Sequence, residues 1–195
     1  MKKTLIVGLG QISFSQTTVA KDEVRFITHS EVFENDSYFK LCGGVEINPE
    51  TREKFSKLYD KPCFENLNDG LSKLMPDLVV VSVPPEAHFK ILYSILTSKI
   101  PRVVLCEKPL SLNQKQYEEI RRLTKKSDTE IFINYQRRSW PHIIKLKNQI
   151  RKNHFGTSFK GVVWYSKGLK NSCSHFVDLM IFLLGSIKKG NIIGN

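Results

Sequence analysis

The chain alternates short continuous apolar runs with longer stretches whose apolar residues recur every three or four positions, and that rhythm predicts its architecture. Leu5-Ile6-Val7 opens as a short buried strand, residues 38–46 supply a second and 62–64 a brief third. Residues 77–83, DLVVVSV, form the strongest strand, continuous and β-branched as expected of a strand covered on both faces. Residues 101–106 and 130–134 complete a set of six. Between them, helical spacing predicts helices over 11–22, 49–59, 67–74, 86–98 and 113–126, with 23–37 left as a connection of undefined structure. Alternating strands and helices argue for an α/β fold, a doubly wound parallel sheet with helices on both faces. Beyond Tyr135 the rhythm changes: a helix over 140–153, an alternating strand over 158–166 (Phe159, Val162, Trp164) and an apolar helix over 174–184 closed by Gly185. The pattern predicts one complete domain over 1–136. Residues 137–195 read as the beginning of a second, α+β domain, since one strand and one helix cannot enclose a core.

The first strand ends in Gly8-Leu9-Gly10, where the chain can turn sharply into a helix at Gln11. Such a turn either simply joins strand to helix or cradles a phosphate, because glycines let the backbone come close and the helix N-terminus offers free N–H groups. The third glycine of the G-x-G-x-x-G/A fingerprint is here Ser13, small enough for close helix-to-strand packing. An acid closing the second strand would accept hydrogen bonds from an adenosine ribose, favouring NAD over NADP. Glu46 fits chemically, although its distance from Gly10 exceeds the usual ~20 residues and requires 23–37 to be an insertion. Read otherwise, it is a surface acid before the Asn48-Pro49 turn.

Composition narrows the classes. Of 195 residues, 41% are hydrophobic and 25% charged, ordinary values for a globular protein. No apolar run approaches the ~20 residues that span a bilayer, and Met1-Lys2-Lys3 leads directly into a strand; a cytoplasmic protein with no membrane partner is expected. Cys42, Cys63, Cys106 and Cys173 are scattered without C-x-x-C pairing, so free thiols and no metal site are expected. The net charge of +11 reflects basic clusters such as Arg121-Arg122, Arg137-Arg138 and Arg151-Lys152. They serve as solvated helix faces or as attraction for anionic ligands such as nucleotide sugars. No zinc-finger, helix-turn-helix or aromatic RNA-binding pattern accompanies them, and nucleic acid is not an expected partner.

Two residues carry candidate proton chemistry. Lys108 stands at a strand's carboxyl end between an acid and a proline, where its ammonium could donate to a substrate oxygen; read otherwise, it is a turn lysine. His175 lies three residues before Asp178 on a helix, a spacing at which a carboxylate could orient the imidazole; read otherwise, it is a capping or core histidine.

Taken together, GLGQIS, VSVPPEAH (81–88), CEKPL (106–110), NYQRR (134–138) and GLKNSCSHFVDL (168–179) resemble, in order and spacing, the Gfo/Idh/MocA family. These glucose-fructose oxidoreductase and inositol dehydrogenase-like enzymes transfer hydride between NAD(P) and a sugar, cyclitol or related carbonyl. The resemblance runs over essentially the whole chain but over only the first half to two-thirds of the family's architecture. It implies a Rossmann domain in which Gly8, Gly10, Gln11 and Ile12 hold the pyrophosphate and Glu46 the adenosine ribose. Pro84, Pro85 and His88 would flank the nucleotide, Glu107 and Lys108 would lie beside the nicotinamide ribose and substrate, and Arg137 or Arg138 near the nicotinamide end. His175 matches the family's catalytic acid/base, and the Lys108–Pro109 bond is a candidate cis peptide. Asn171 departs from the aspartate many members carry four residues before that histidine; it can hydrogen-bond but cannot take a proton. The resemblance further implies a sugar or nucleotide-sugar substrate, NAD with NADP as the second choice, and a homo-oligomer formed through the C-terminal region. The competing expectation is a truncated, catalytically silent nucleotide-binding protein.

Overall fold

The computed structural model describes residues 1–14 and 28–190. They divide into two compact units, Met1–Asn134 and Tyr135–Asn195.

The first unit is built on six parallel strands: β1 (Lys2–Val7), β2 (Phe39–Val45), β3 (Cys63–Phe64), β4 (Leu78–Val81), β5 (Val103–Cys106) and β6 (Glu130–Ile133). Their order is β3-β2-β1-β4-β5-β6, so the sheet grows outward in both directions from the β1/β4 pair. That reversal opens a crevice at the carboxyl ends of β1 and β4. The apolar runs are continuous because both faces of the sheet are covered. Leu5, Val7, Val79 and Val81 pack on one face and Ile6, Leu78 and Val80 on the other.

The helices are α1 (His29–Asn35), α2 (Pro49–Tyr59), α3 (Leu67–Leu74), α4 (Pro85–Ser98) and α5 (Gln114–Thr124). Their ends are written locally. The side chains of Asn48 and Asn113 accept the N–H groups of Thr51 and Gln116, Pro49 and Pro85 occupy first turns, and Asp60, Met75 and Lys99 close helices in the left-handed region. Helix α1 was not expected, since 23–37 read as a connection. Its start is a reciprocal cap: Thr28 Oγ1 accepts from Glu31 N–H, and the Glu31 carboxylate accepts from Thr28 N–H. Most of the helix expected over 11–22 lies outside the described residues.

The second unit holds α6 (Pro141–Arg151), a π-helical turn at Leu169–Cys173 and α7 (Ser174–Leu184). The strand expected over 158–166 is absent: the segment is irregular and exposed, with Val162 at 78% and Trp164 at 89%. Among the described residues no strand offers it a hydrogen-bonding ladder, and without one the alternation has no sheet to enter.

Candidate cofactor-binding site

The two glycines of the turn after β1 are required for different reasons. Gly8 has a φ of +88°, and a Cβ there would stand 2.8 Å from the backbone of Ser82 and Val83; the fold itself demands glycine. At Gly10 a Cβ would meet nothing within 4 Å, so among the described residues no neighbour demands its absence. Gly10 instead lines a cleft of about 790 Å³. An open approach to bare backbone is what a closely held phosphate needs. Ser13 and Phe14 donate back to the Gly10 carbonyl at 2.9 Å, forming one helical turn. Among the described residues nothing accepts from the N–H groups of Gly10, Gln11 and Ile12, which leaves three donors at that turn for an anion.

The helix begun by this turn is completed from further along the chain. His29 N–H donates to the Ile12 carbonyl at 3.1 Å and Ser30 N–H to that of Ser13 at 3.0 Å, so α1 takes up the ladder left open by the glycine turn. The extra length separating Gly10 from Glu46 is therefore accounted for by the interval between Phe14 and Thr28, which overlaps only in part the 23–37 expected from the sequence. Setting those thirteen residues aside restores roughly the usual ~20-residue spacing to the acid.

Glu46 follows β2 and lines the cleft. One carboxylate oxygen accepts from Leu9 N–H at 2.8 Å, inside the glycine turn, and the other from Asn48 N–H at 3.0 Å. Arg52, not foreseen, braces this corner by donating to the carbonyls of Glu46 and Ile47 at 2.9 and 2.8 Å. Ser82 does the same for the turn: its hydroxyl donates to the Gly8 carbonyl at 2.9 Å and meets the buried Ser13 hydroxyl. Ser13 is thus both small and bonded. The hydrophobic pattern could not have revealed Arg52 or Ser82, because their partners are backbone groups brought together by the fold.

Pro84 lines the cleft and Pro85 begins α4. His88 does not flank a ligand directly. It is 1% exposed, with Nδ1 2.6 Å from the Pro109 carbonyl and Nε2 2.9 Å from that of Val83, so it fastens the loop after β4 to the loop after β5. Burial and the engagement of both ring nitrogens leave it no face for a nucleotide.

Glu107 and Lys108 stand at the carboxyl end of β5, and the Lys108–Pro109 bond is cis. Glu107 Oε1 receives Asn134 Nδ2 at 2.6 Å and lies 3.0 Å from His29 Nε2, a contact that requires the imidazole proton on Nε2. Burial pushes this carboxyl up, but the hydrogen bonds from His29 and Asn134 and the Lys108 charge together hold it below the ordinary 4.5. His29 was missed because its helix was missed; the Thr28-x-x-Glu31 cap was the available signal. Among the described residues, no three His, Cys, Asp or Glu side chains gather as a metal would need.

In sequence terms this strand, glycine turn and split helix match one family model, described as the oxidoreductase family with NAD-binding Rossmann fold, over residues 2–135. The chain belongs to the Gfo/Idh/MocA oxidoreductase family. It is 29% identical over 151 residues to the myo-inositol 2-dehydrogenase of Thermotoga maritima, covering 77% of this chain and 41% of that protein. In structure it resembles the scyllo-inositol dehydrogenase of Lactobacillus casei (TM-score 0.75, 17% identity, 94% of this chain and 55% of that one). It also resembles the WlbA dehydrogenase of Bordetella pertussis, solved with NADH and UDP-GlcNAcA (TM-score 0.74, 19% identity, 94% of this chain and 58% of that one). The chain thus spans about half the length of these family members.

In the second unit, Asn171 lies on the π-helical turn, where its carbonyl accepts from the Ser174 hydroxyl at 2.7 Å. His175, in the first turn of α7, meets Tyr135 edge-on with ring centroids 5.7 Å apart. Asp178, one turn on, is gripped by the Arg138 guanidinium through two hydrogen bonds, Nε to Oδ2 at 2.8 Å and Nη2 to Oδ1. Arg137 lies over the Phe176 ring at 4.7 Å. Both arginines are therefore engaged within their own unit. No helix among the described residues is long and apolar enough to cross a membrane.

Proposed function

We propose that the chain binds NAD(H) in the cleft of its first unit and serves hydride transfer to or from a sugar, cyclitol or nucleotide-sugar. The observation that carries this reading is Gly10, which among the described residues no neighbouring atom requires to be glycine, next to three N–H groups that no described residue accepts and a Glu46 carboxylate bonded to the Leu9 N–H of the same turn. Gly10, Gln11 and Ile12 would hold the pyrophosphate, and Glu46 the adenosine ribose. Its negative charge would disfavour the 2'-phosphate of NADP. The bound nicotinamide supplies the hydride chemistry. Lys108 would donate a hydrogen bond to the substrate oxygen, His175 would take or return the hydroxyl proton, and Asn171 would orient the substrate. The inositol and nucleotide-sugar dehydrogenases among its relatives support the substrate class. Self-association through 137–195 belongs to the same proposal and is supported by the exposure of Val162 and Trp164.

A second reading, cofactor binding without turnover, is favoured by Asn171, which cannot carry a proton. Titrating the purified chain with NADH and NADPH, read by cofactor fluorescence, tests the binding claim. Saturable binding with NADH preferred is expected, and a folded chain that binds neither refutes it. A panel of cyclitols and nucleotide-sugars then separates turnover from silent binding.

A further inference from the structure

His29 joins the glycine turn that lines the cleft to the corner that follows β5. Its backbone N–H holds the Ile12 carbonyl in the glycine turn, while its side chain, 13% exposed, reaches Glu107 beside Lys108. Asn134 donates to the same oxygen, Oε1. Among the described residues Oε2 takes no hydrogen bond. A carboxylate fastened twice through one oxygen has a fixed orientation and leaves the other oxygen as an acceptor for a ligand hydroxyl. We propose that His29 is a positioning residue that ties the phosphate-binding turn to the Glu107–Lys108 corner, so that the nicotinamide half of the cofactor depends on the imidazole N–H and the adenosine half does not.

This rests on the reading that the cleft holds NAD(H). Removing the His29 donor frees Glu107 to turn and leaves a carboxylate, 12% exposed, short of one partner. The loss should appear only for ligands that reach this corner.

The test compares His29→Gln, whose amide can still reach Glu107, with His29→Asn, which is one methylene shorter. Each is titrated calorimetrically with ADP, which lacks the nicotinamide half, and with NADH. His29→Asn should bind ADP like the native chain and NADH about tenfold more weakly, the scale of a hydrogen bond to a charged group. His29→Gln should stay within about threefold of native for both ligands. Native-like NADH binding by His29→Asn overturns the positioning role, as does an equal loss of ADP and NADH, which would mark a purely structural histidine. Failure of the native chain itself to bind NADH overturns the proposed function, and this inference with it.

Discussion

Two stretches with strand-like apolar patterning met opposite fates. In the first unit β4 is paired on both sides, and Val79, Val80 and Val81 are fully buried. In the second unit the alternation over 158–166 finds no ladder, and its apolar side chains face solvent. Charge divides along the same line. Residues 135–195 hold eleven of the thirty Lys and Arg but one of the nineteen acids, whereas the first unit is nearly balanced. That single acid, Asp178, is buried and clamped by Arg138. Patterning makes a strand available, and only hydrogen-bonding neighbours make it real.

The contrast can be broken at named positions. The largest effect is expected at Gly8: Gly8→Ala combines a positive φ with a backbone clash and should cost about 3 kcal/mol, seen as a lowered denaturation midpoint. Trp164→Ser, in the exposed segment, should leave the midpoint within about 0.5 kcal/mol of native. Gly10→Val separates fold from function inside the first unit. Thermal stability should stay near native while NADH affinity falls at least about tenfold, as the side chain fills the phosphate approach; a lost fold would show that Gly10 is structural after all.

A smaller effect is expected in the second unit. Arg138→Leu leaves Asp178 buried without its guanidinium, but Arg138 is itself 44% exposed. Solvent screening reduces the cost to about 1 kcal/mol, read as helix loss in far-ultraviolet circular dichroism. The smallest effect is pH-dependent. Because the folded state lowers the Glu107 pKa below 4.5, its contribution is fully present above that value and is lost as pH falls through the lowered one. Glu107→Gln should flatten acid unfolding in that window; an unchanged slope would mean that Glu107 is not held by His29 and Asn134.

Much of this was legible because local chemistry marked it. The bounds of α2, α3 and α7 coincide with those read from Asn48-Pro49, the helical spacing of 67–74 and Gly185. The continuous apolar runs gave the strands of the sheet, and the glycine turn and Glu46 indicated the cleft. What was hidden depended on distance in sequence. Helix α1 continues a turn from which thirteen residues divide it, so no local window contains both halves. His88 was expected beside the nucleotide only because the family resemblance implied it, while its carbonyl partners, Val83 and Pro109, are apparent only in three dimensions. The segment 158–166 misled in the opposite sense, carrying the pattern of a strand without its neighbours.

The most direct test of the central claim, that the first unit's cleft is a dinucleotide site, is a titration of the isotope-labelled chain with NADH followed through its backbone amide resonances. Saturable shifts are expected at Gly10, Gln11, Ile12 and the Leu9 amide bonded to Glu46. Shifts absent from this turn, in a chain that remains folded, would contradict the claim.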